Sequence, residues 1–268
     1  MVALLQSGHR WVVDADIKGY FDSIPHERLM EEVEREVADG SVLKLLRKYL
    51  KAGVMEGIEF TEPEEGTPQG AVISPLLANL YLDALDHLMA QEGFQMIRYA
   101  DDFVILCRSR EEAERALEKV KAFMEERELT LHPTKTRLVD AMQKGGFDFL
   151  GYHFEPQYRW PRKKSLDKFK DNIRAKTRRS NGRSLECIIA NVNPTVRGWY
   201  EYFKHSYRTT FPYLDGWIRM RLRSILRKRA GRQGRGRGAD HQRWPNSYFD
   251  ALGLFSMTTA RRALCQSR

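Results

Sequence analysis

Cysteine is scarce in this chain. Cys107, Cys187 and Cys265 stand far apart, which excludes a disulfide scaffold and any CxxC zinc site and points to a reducing compartment, the cytoplasm. Long hydrophobic runs are missing too. No 18 consecutive residues are apolar, so no ordinary membrane-spanning helix and no membrane partner are expected. The apolar run in the opening MVALLQSGHRW is too short, and lacks the basic start, for a secretory signal. No internal repeat stands out. Acidic residues are scarce only in one half. Residues 151–268 hold 27 basic and 8 acidic side chains, a balance of +19, whereas residues 1–150 hold 18 and 28, a balance of −10. Such asymmetry implies a second half built against a polyanion, most simply nucleic acid. Aromatics interleave with those cations, among them Trp160, Trp199, Tyr200, Tyr213 and Trp217, but aromatics at helical spacing are more often core than platform. With 42% hydrophobic residues in a chain of 268, there is ample material for a folded core.

The first half alternates between strand and helix patterns. Trp11–Asp16 reads as a strand, followed by a turn at Lys18-Gly19 and a helix introduced by Asp22-Ser23, with Pro25 in its first turn. One or two helices cover 41–52, and Glu56–Glu65 reads as a loop or short hairpin. Ser74-Pro75 open a long helix with Leu76, Leu77, Leu80, Leu85, Leu88 and Met89 as its apolar face. Met96–Cys107 reads as a hairpin carrying Asp101-Asp102 at its tip, Glu111–Arg127 as an amphipathic helix, and 136–140 and 147–154 as strands. From about residue 160 only helices are expected, over 166–179, 185–207 and 213–229. The Gly/Arg tract 230–238, either a flexible linker or a basic strand-hugging segment, precedes a short terminal piece.

The chemistry rests on acids. Asp16 ends a strand, while Asp101 and Asp102 lie 85 residues or more further on, so only tertiary folding can bring them together. Three close carboxylates repel unless cations sit between them, and clustered hard oxygens favour Mg²⁺. Two such ions can activate a hydroxyl and stabilise a leaving pyrophosphate. Asp14 lies one strand period before Asp16 and reads equally as a supporting acid or a solvent-side residue. Phe21 is placed where a ring could stack under a sugar and exclude a 2′-hydroxyl, or could simply be core. Gly66-Thr67-Pro68-Gln69-Gly70 reads as a nucleotide- or template-contacting loop, or as a plain tight turn. Lys135 has the charge to neutralise or protonate a leaving pyrophosphate.

In combination these segments resemble the group II intron-encoded reverse transcriptase/maturases. The likeness is carried, in family order, by Asp14-Ala-Asp-Ile-Lys-Gly-Tyr-Phe-Asp-Ser-Ile-Pro-His26, Gly66-Thr-Pro-Gln-Gly-Ala-Val-Ile-Ser-Pro-Leu-Leu-Ala-Asn79, Tyr99-Ala-Asp-Asp102 and His132-Pro-Thr-Lys-Thr136. Phe147-Asp-Phe-Leu-Gly-Tyr152, Asn193-Pro-Thr-Val-Arg-Gly-Trp-Tyr-Glu-Tyr-Phe203 and Trp244–Phe255 continue it. The resemblance implies an α+β fold, a polymerase palm of antiparallel sheet and packed helices followed by an all-helical thumb/maturase domain. The expected boundaries are 1–155 for the palm, 160–230 for the thumb and 231–268 for the Gly/Arg linker and terminal segment. It implies RNA-directed DNA synthesis through two Mg²⁺, with Asp16, Asp101 and Asp102 as catalytic residues and metal ligands. Ile17, Phe21, Gln69, Gly70 and Lys135 would meet nucleotide or template. Arg197, Trp199, Tyr200, Arg219 and Arg223 would contact RNA, the first three reading equally as a packing seam. Intron RNA, template–primer and deoxynucleoside triphosphates are the implied partners. Maturase function means holding intron RNA in its splicing-competent fold. The likeness begins near the first motif, so most of the fingers region is expected to be missing, and no zinc endonuclease pattern follows residue 255. A polymerase-inactive RNA-binding maturase fragment is the alternative. Phe21 argues against an RNA-copying RNA polymerase, which needs room for the 2′-hydroxyl.

Overall fold

Alternation of Val13, Ala15 and Ile17 with Asp14 and Asp16 gives the first strand one apolar and one acidic face, and the computed structural model is organised around it. The structure describes residues 1–52, 54–56, 59–61, 65–67, 71–143, 145–156, 158–234 and 238–266. They form two units. One comprises residues 1–150 with 155–157, the other 151–154 with 158–268.

In the first unit, the short helix α1 (Val2–Gln6) leads into β1 (Trp11–Asp16). A 3₁₀ turn, Tyr20–Asp22, then precedes α2 (His26–Glu36) and α3 (Gly40–Leu50). The expected Asp22-Ser23 cap is not used: Pro25 is the residue before the first turn of α2, because Asp22 is already committed to the 3₁₀ turn. The 56–65 stretch is in part a hairpin, β2 (Val54–Glu56) with β3 (Glu59–Thr61). There follow α4 (Ser74–Gln91), β4 (Gln95–Tyr99), β5 (Asp102–Cys107), α5 (Arg110–Glu126), β6 (Arg137–Asp140) and β7 (Phe147–Phe149). Four strands make an antiparallel sheet in the order β4-β5-β1-β6.

One face of that sheet carries Val13, Ala15, Phe103, Ile105 and Cys107 into a core shared with α2, α4 and α5. Leu29, Met30 and Val33 enter it from α2, Leu77, Tyr81, Leu82, Leu85 and Met89 from α4, and Ala113, Ala116 and Val120 from α5. Leu76, expected in the apolar face of α4, is 66% exposed. Its place is taken by Tyr81, whose hydroxyl donates to the Arg127 carbonyl and thereby ties the end of α5 to α4.

The second unit opens with β8 (Tyr152–Phe154) and β9 (Arg159–Pro161), the latter not foreseen, and continues with α6 (Lys163–Lys176), α7 (Leu185–Phe203) and α8 (Thr210–Arg229). Short helices α9 (Asp240–Arg243), α10 (Asn246–Ala251) and α11 (Met257–Gln266) complete it. The terminal residues are not a separate piece. Phe249, Leu254 and Met257 lie in the same core as Ile173, Val192, Val196 and Leu222. Asn193 fastens them further, donating to the Gly253 carbonyl and accepting from the Phe255 amide. Asp215, buried on α8, accepts the Met257 and Thr258 amides and so caps α11. No helix among the described residues is long and apolar enough to cross a membrane.

Arg223 anchors this arrangement. It is 1% exposed, donates to the Trp244 carbonyl and to Asn246 Oδ1, and lies over the Phe249 ring. Truncation would orphan buried acceptors and empty the site, so Arg223→Ala should lower unfolding stability by about 2–4 kcal/mol in urea melts. The exposed Arg178→Ala should stay within about 0.5 kcal/mol.

Candidate active site

The acids meet because of strand register. In the antiparallel β1–β5 pair, Asp16 stands directly opposite Asp102, and Asp14 sits one pleat further along the same face. Asp101 lies in the turn between β4 and β5, beside Ala100, which adopts a left-handed φ of 55°. That tip is fastened from below. Arg98 donates to the Ala100 carbonyl at 3.0 Å, to Asn79 Oδ1 at 3.1 Å and to both carboxylate oxygens of Asp86 on α4. Sequence reading missed Arg98, Asp86 and Asn79. Arg98 stands one strand position before the Tyr99-Ala-Asp-Asp motif, but its partners are set by packing of β4 on α4.

Backbone bonds also deliver the lysine motif. Ile17 bridges Leu131, the Lys18 amide donates to the Thr130 carbonyl, and the His132 amide donates to the Asp16 carbonyl at 2.7 Å. Lys135 Nζ then reaches Asp16 Oδ2 at 2.8 Å, and Arg137 Nε reaches Asp14 Oδ2 at 2.9 Å. The side chain of Ile17 is buried in the palm core, so only its backbone faces the site.

The charges perturb one another. Burial, then the neighbouring charges of Asp14, Asp16 and Asp101, pushes the Asp102 carboxyl up to about 6. The bond to Asp16 holds the Lys135 ammonium above its ordinary value. Burial raises Asp14 as well, against the pull of Arg137. Among the described residues no group of three acids stands ready to hold one metal ion. The donor set still suits Mg²⁺: opposed carboxylates, one of them resisting ionisation because it is partly buried and its neighbours are negative, take hard cations in place of protons.

Phe21 is half-buried against the palm core, its ring edge-on to Tyr20. Its carbonyl accepts the Thr67 amide at 2.6 Å, the Ile24 carbonyl accepts the Gly66 amide, and His26 Nε2 donates to the Gly66 carbonyl. The start of the glycine loop is thereby docked on the segment bearing Phe21. Gly66 has φ +88°, and a Cβ there would come within 2.9 Å of the Asp22 carbonyl, so glycine is required. Gln69 and Gly70 lie outside the described residues.

The five RNA-contact candidates divide. Arg197 is exposed, although its guanidinium lies over Phe255. Trp199 stacks between Phe169 and Phe203, and Tyr200 is buried against Phe211 and Phe255. Arg219 pairs with Asp250 at 3.0 Å. Arg223 is wholly interior, which corrects its assignment to RNA. Helix packing consumed all of them but Arg197, because their spacing along α7 and α8 matches the buried stripe.

Two family models match the chain. The family described as Reverse transcriptase (RNA-dependent DNA polymerase) matches residues 2–154, and the Group II intron, maturase-specific domain matches residues 166–244. The chain belongs to the group II intron reverse transcriptase/maturase family. Its similarity to the Group II intron-encoded protein LtrA of Lactococcus lactis subsp. cremoris is 44% identity over 84 residues, 31% of this chain and 14% of that one. Protein YkfC of Escherichia coli (strain K12) is 31% identical over 178 residues, 53% of this chain and 46% of YkfC. This reverse transcriptase/maturase chain thus spans less than half the length of either relative. A structure of telomerase from Candida albicans shares the fold at a TM-score of 0.50 and 15% identity, covering 84% of this chain and 46% of that one. The palm-plus-helical architecture is therefore that of a reverse transcriptase.

A stability test follows from Asp102. Its folded-state value of about 6 exceeds the ordinary 3.8, so the folded state holds the extra proton and loses stability as pH rises between those values. In metal-free buffer at pH 7.5, Asp102→Asn should therefore melt higher than the parent, by on the order of 1 kcal/mol after solvent screening. The advantage should vanish at pH 4, and Mg²⁺ should stabilise the parent more than the variant.

Proposed function

We propose that this chain carries the polymerase centre of an RNA-directed DNA polymerase and the RNA-gripping part of a maturase. The observation that carries the reading is the register that sets Asp16 opposite Asp102, with Asp101 in the adjoining turn. Asp16, Asp101 and Asp102 would hold two Mg²⁺, which when bound supply Lewis acidity to the attacking hydroxyl and the leaving pyrophosphate. The chain's own groups do the rest. Lys135, protonated at neutral pH, passes from Asp16 to the pyrophosphate side, where its charge and proton serve the leaving group. Phe21 stacks beneath the incoming sugar and excludes the 2′-hydroxyl, which selects deoxynucleoside triphosphates. Gln69, Gly70 and the backbone at Ile17 border nucleotide and template, and the Glu65–Thr67 segment is docked on the residues around Phe21. The basic second unit binds intron RNA and template–primer duplex, the intron RNA itself performing transesterification. The working compartment is the cytoplasm.

A second reading has two observations in its favour: Asp16 is held by Lys135, and no three-acid group is assembled among the described residues. It makes this chain an RNA-binding maturase piece without DNA synthesis. Primer extension on an RNA template with Mg²⁺ and deoxynucleotides separates the two. The polymerase reading expects extension by the parent, reduced about 100-fold or more in Asp101→Ala and Asp102→Ala, with RNA affinity changed less than about twofold. No extension from the parent, alongside salt-sensitive RNA binding, selects the second reading. In an active parent, Phe21→Ala should raise ribonucleotide incorporation relative to deoxynucleotide by about tenfold or more, because removing the ring opens the space for a 2′-hydroxyl.

A further inference from the structure

The second unit contains a groove that none of the RNA-contact candidates line. It has a volume of about 640 Å³ and lies between α6 and α8, bordered by Arg174, Arg179, Tyr213, Trp217 and Arg221. Its floor is a ladder of matched rungs. Tyr213, Trp217 and Arg221 recur every four residues along α8 and meet Lys170, Arg174 and Thr177 on α6 and its end. Lys170 Nζ lies 5.0 Å from the Tyr213 ring centre and 3.3 Å from its hydroxyl. The guanidiniums of Arg174 and Arg221 lie 5.8 and 5.6 Å from the centre of the Trp217 ring. Arg221 is further fixed by donating from Nε to Thr177 Oγ1 at 2.6 Å and from Nη2 to the Thr177 carbonyl at 3.1 Å.

Three like charges are thereby gathered with little to balance them. Asp171 pairs with Arg174 at the surface, and neither Arg179 nor Arg221 has an acidic partner among the described residues. Burial, with the charges of Arg174 and Arg179 beside it, holds Arg221 below its ordinary value, so this site gains from an anion. A lone phosphate ion would use only the cations. The neighbouring Tyr213, 61% exposed although Lys170 covers part of it, adds a ring at the rim. Repeated phosphate charge beside an exposed ring is the chemistry of an unpaired nucleic-acid strand.

We propose that this groove is a subsite for the backbone of unpaired RNA, Arg174, Arg179 and Arg221 meeting phosphates and Tyr213 stacking a base. The inference rests on the reading of the second unit as RNA-binding and names where on that unit the strand lies.

The test is fluorescence anisotropy of a labelled, unpaired oligoribonucleotide against the full chain over a salt series. Arg174→Gln and Arg179→Ala should each weaken binding about fivefold and flatten the log–log salt slope by about 0.7 for each phosphate left without its cation. Arg115→Ala on α5 changes the net charge equally and should move neither quantity appreciably. Tyr213→Phe should bind like the parent and Tyr213→Ala several-fold more weakly; equal losses in both would overturn the stacking role. Arg179 makes no hydrogen bond within the described structure, so its variant should fold, and a melt checks this. If the Arg174→Gln/Arg179→Ala double variant keeps parental affinity and slope, the subsite is wrong while RNA binding by the unit stands. If the parent shows no salt-sensitive RNA binding, the underlying reading fails and the subsite with it. Losses seen only with the matching deoxyoligonucleotide would assign the groove to DNA and overturn the proposal.

Discussion

The pairing of β1 with β5 sets two carboxylates face to face, an arrangement that an isolated sheet would resist. The rest of the palm is arranged to tolerate it. On the opposite face of the same strands, Val13, Ala15, Phe103 and Ile105 are locked into a continuous core, so the register cannot slip by one residue without exposing them all. Lys135 and Arg137 arrive along β6 and the segment before it, each placed by backbone bonds to β1, and offset the charge of Asp16 and Asp14. Arg98 holds the tip where Ala100 departs from ordinary backbone conformation. Burial first, and then the negative charge that remains around it, raise the proton affinity of Asp102.

Cations in the second unit serve two ends, and the structure separates them. Arg223 is buried, Arg219 and Arg227 are partly so, and each finds a partner: the Trp244 carbonyl and Asn246 for the first, Asp250 for the second, Asp240 for the third. An arginine taken from water without such partners would cost several kcal/mol, so these positions are consumed by folding. Arg174, Arg179 and Arg221 are held differently. The first and last lie against the Trp217 ring, and Arg221 also reaches a carbonyl at the end of α6, which orients it without removing its charge. Arg174 shares its charge with Asp171 at the surface, whereas Arg179 and Arg221 have no acidic partner among the described residues, and that unbalanced charge is what a polyanion can use.

Much of the palm was legible in the chain. The strand at Trp11–Asp16, the hairpin bearing Asp101-Asp102, and the helices from Ser74 and Glu111 follow from period-two and period-3.6 patterns that tertiary packing reinforced. Errors arose where two signals competed. Leu76 fits the apolar stripe of α4 by spacing, but the turn of the helix puts it outward and Tyr81 inward. The single helix expected across Pro194 does form: Pro194 lies inside α7 without ending it, packing of Val192 and Val196 on both sides outweighing one missing amide donor. The terminal segment, isolated in sequence by a Gly/Arg tract, is bound to the unit it follows by Phe249, Met257 and Asn193.

The sequence by itself determined most of the elements, the charge division between the halves and the candidate acids, since these depend on residue type and local period. Only the tertiary structure decided which arginines and aromatics are left to act. Arg223 and Arg221 stand two residues apart on one helix, with the same chemistry and nearly the same neighbours in sequence. One points into the core between α8 and the terminal segment, the other into the groove beside Trp217. That difference is a rotation of about 200° around the helix axis, and which direction is interior depends on helices far away in the chain.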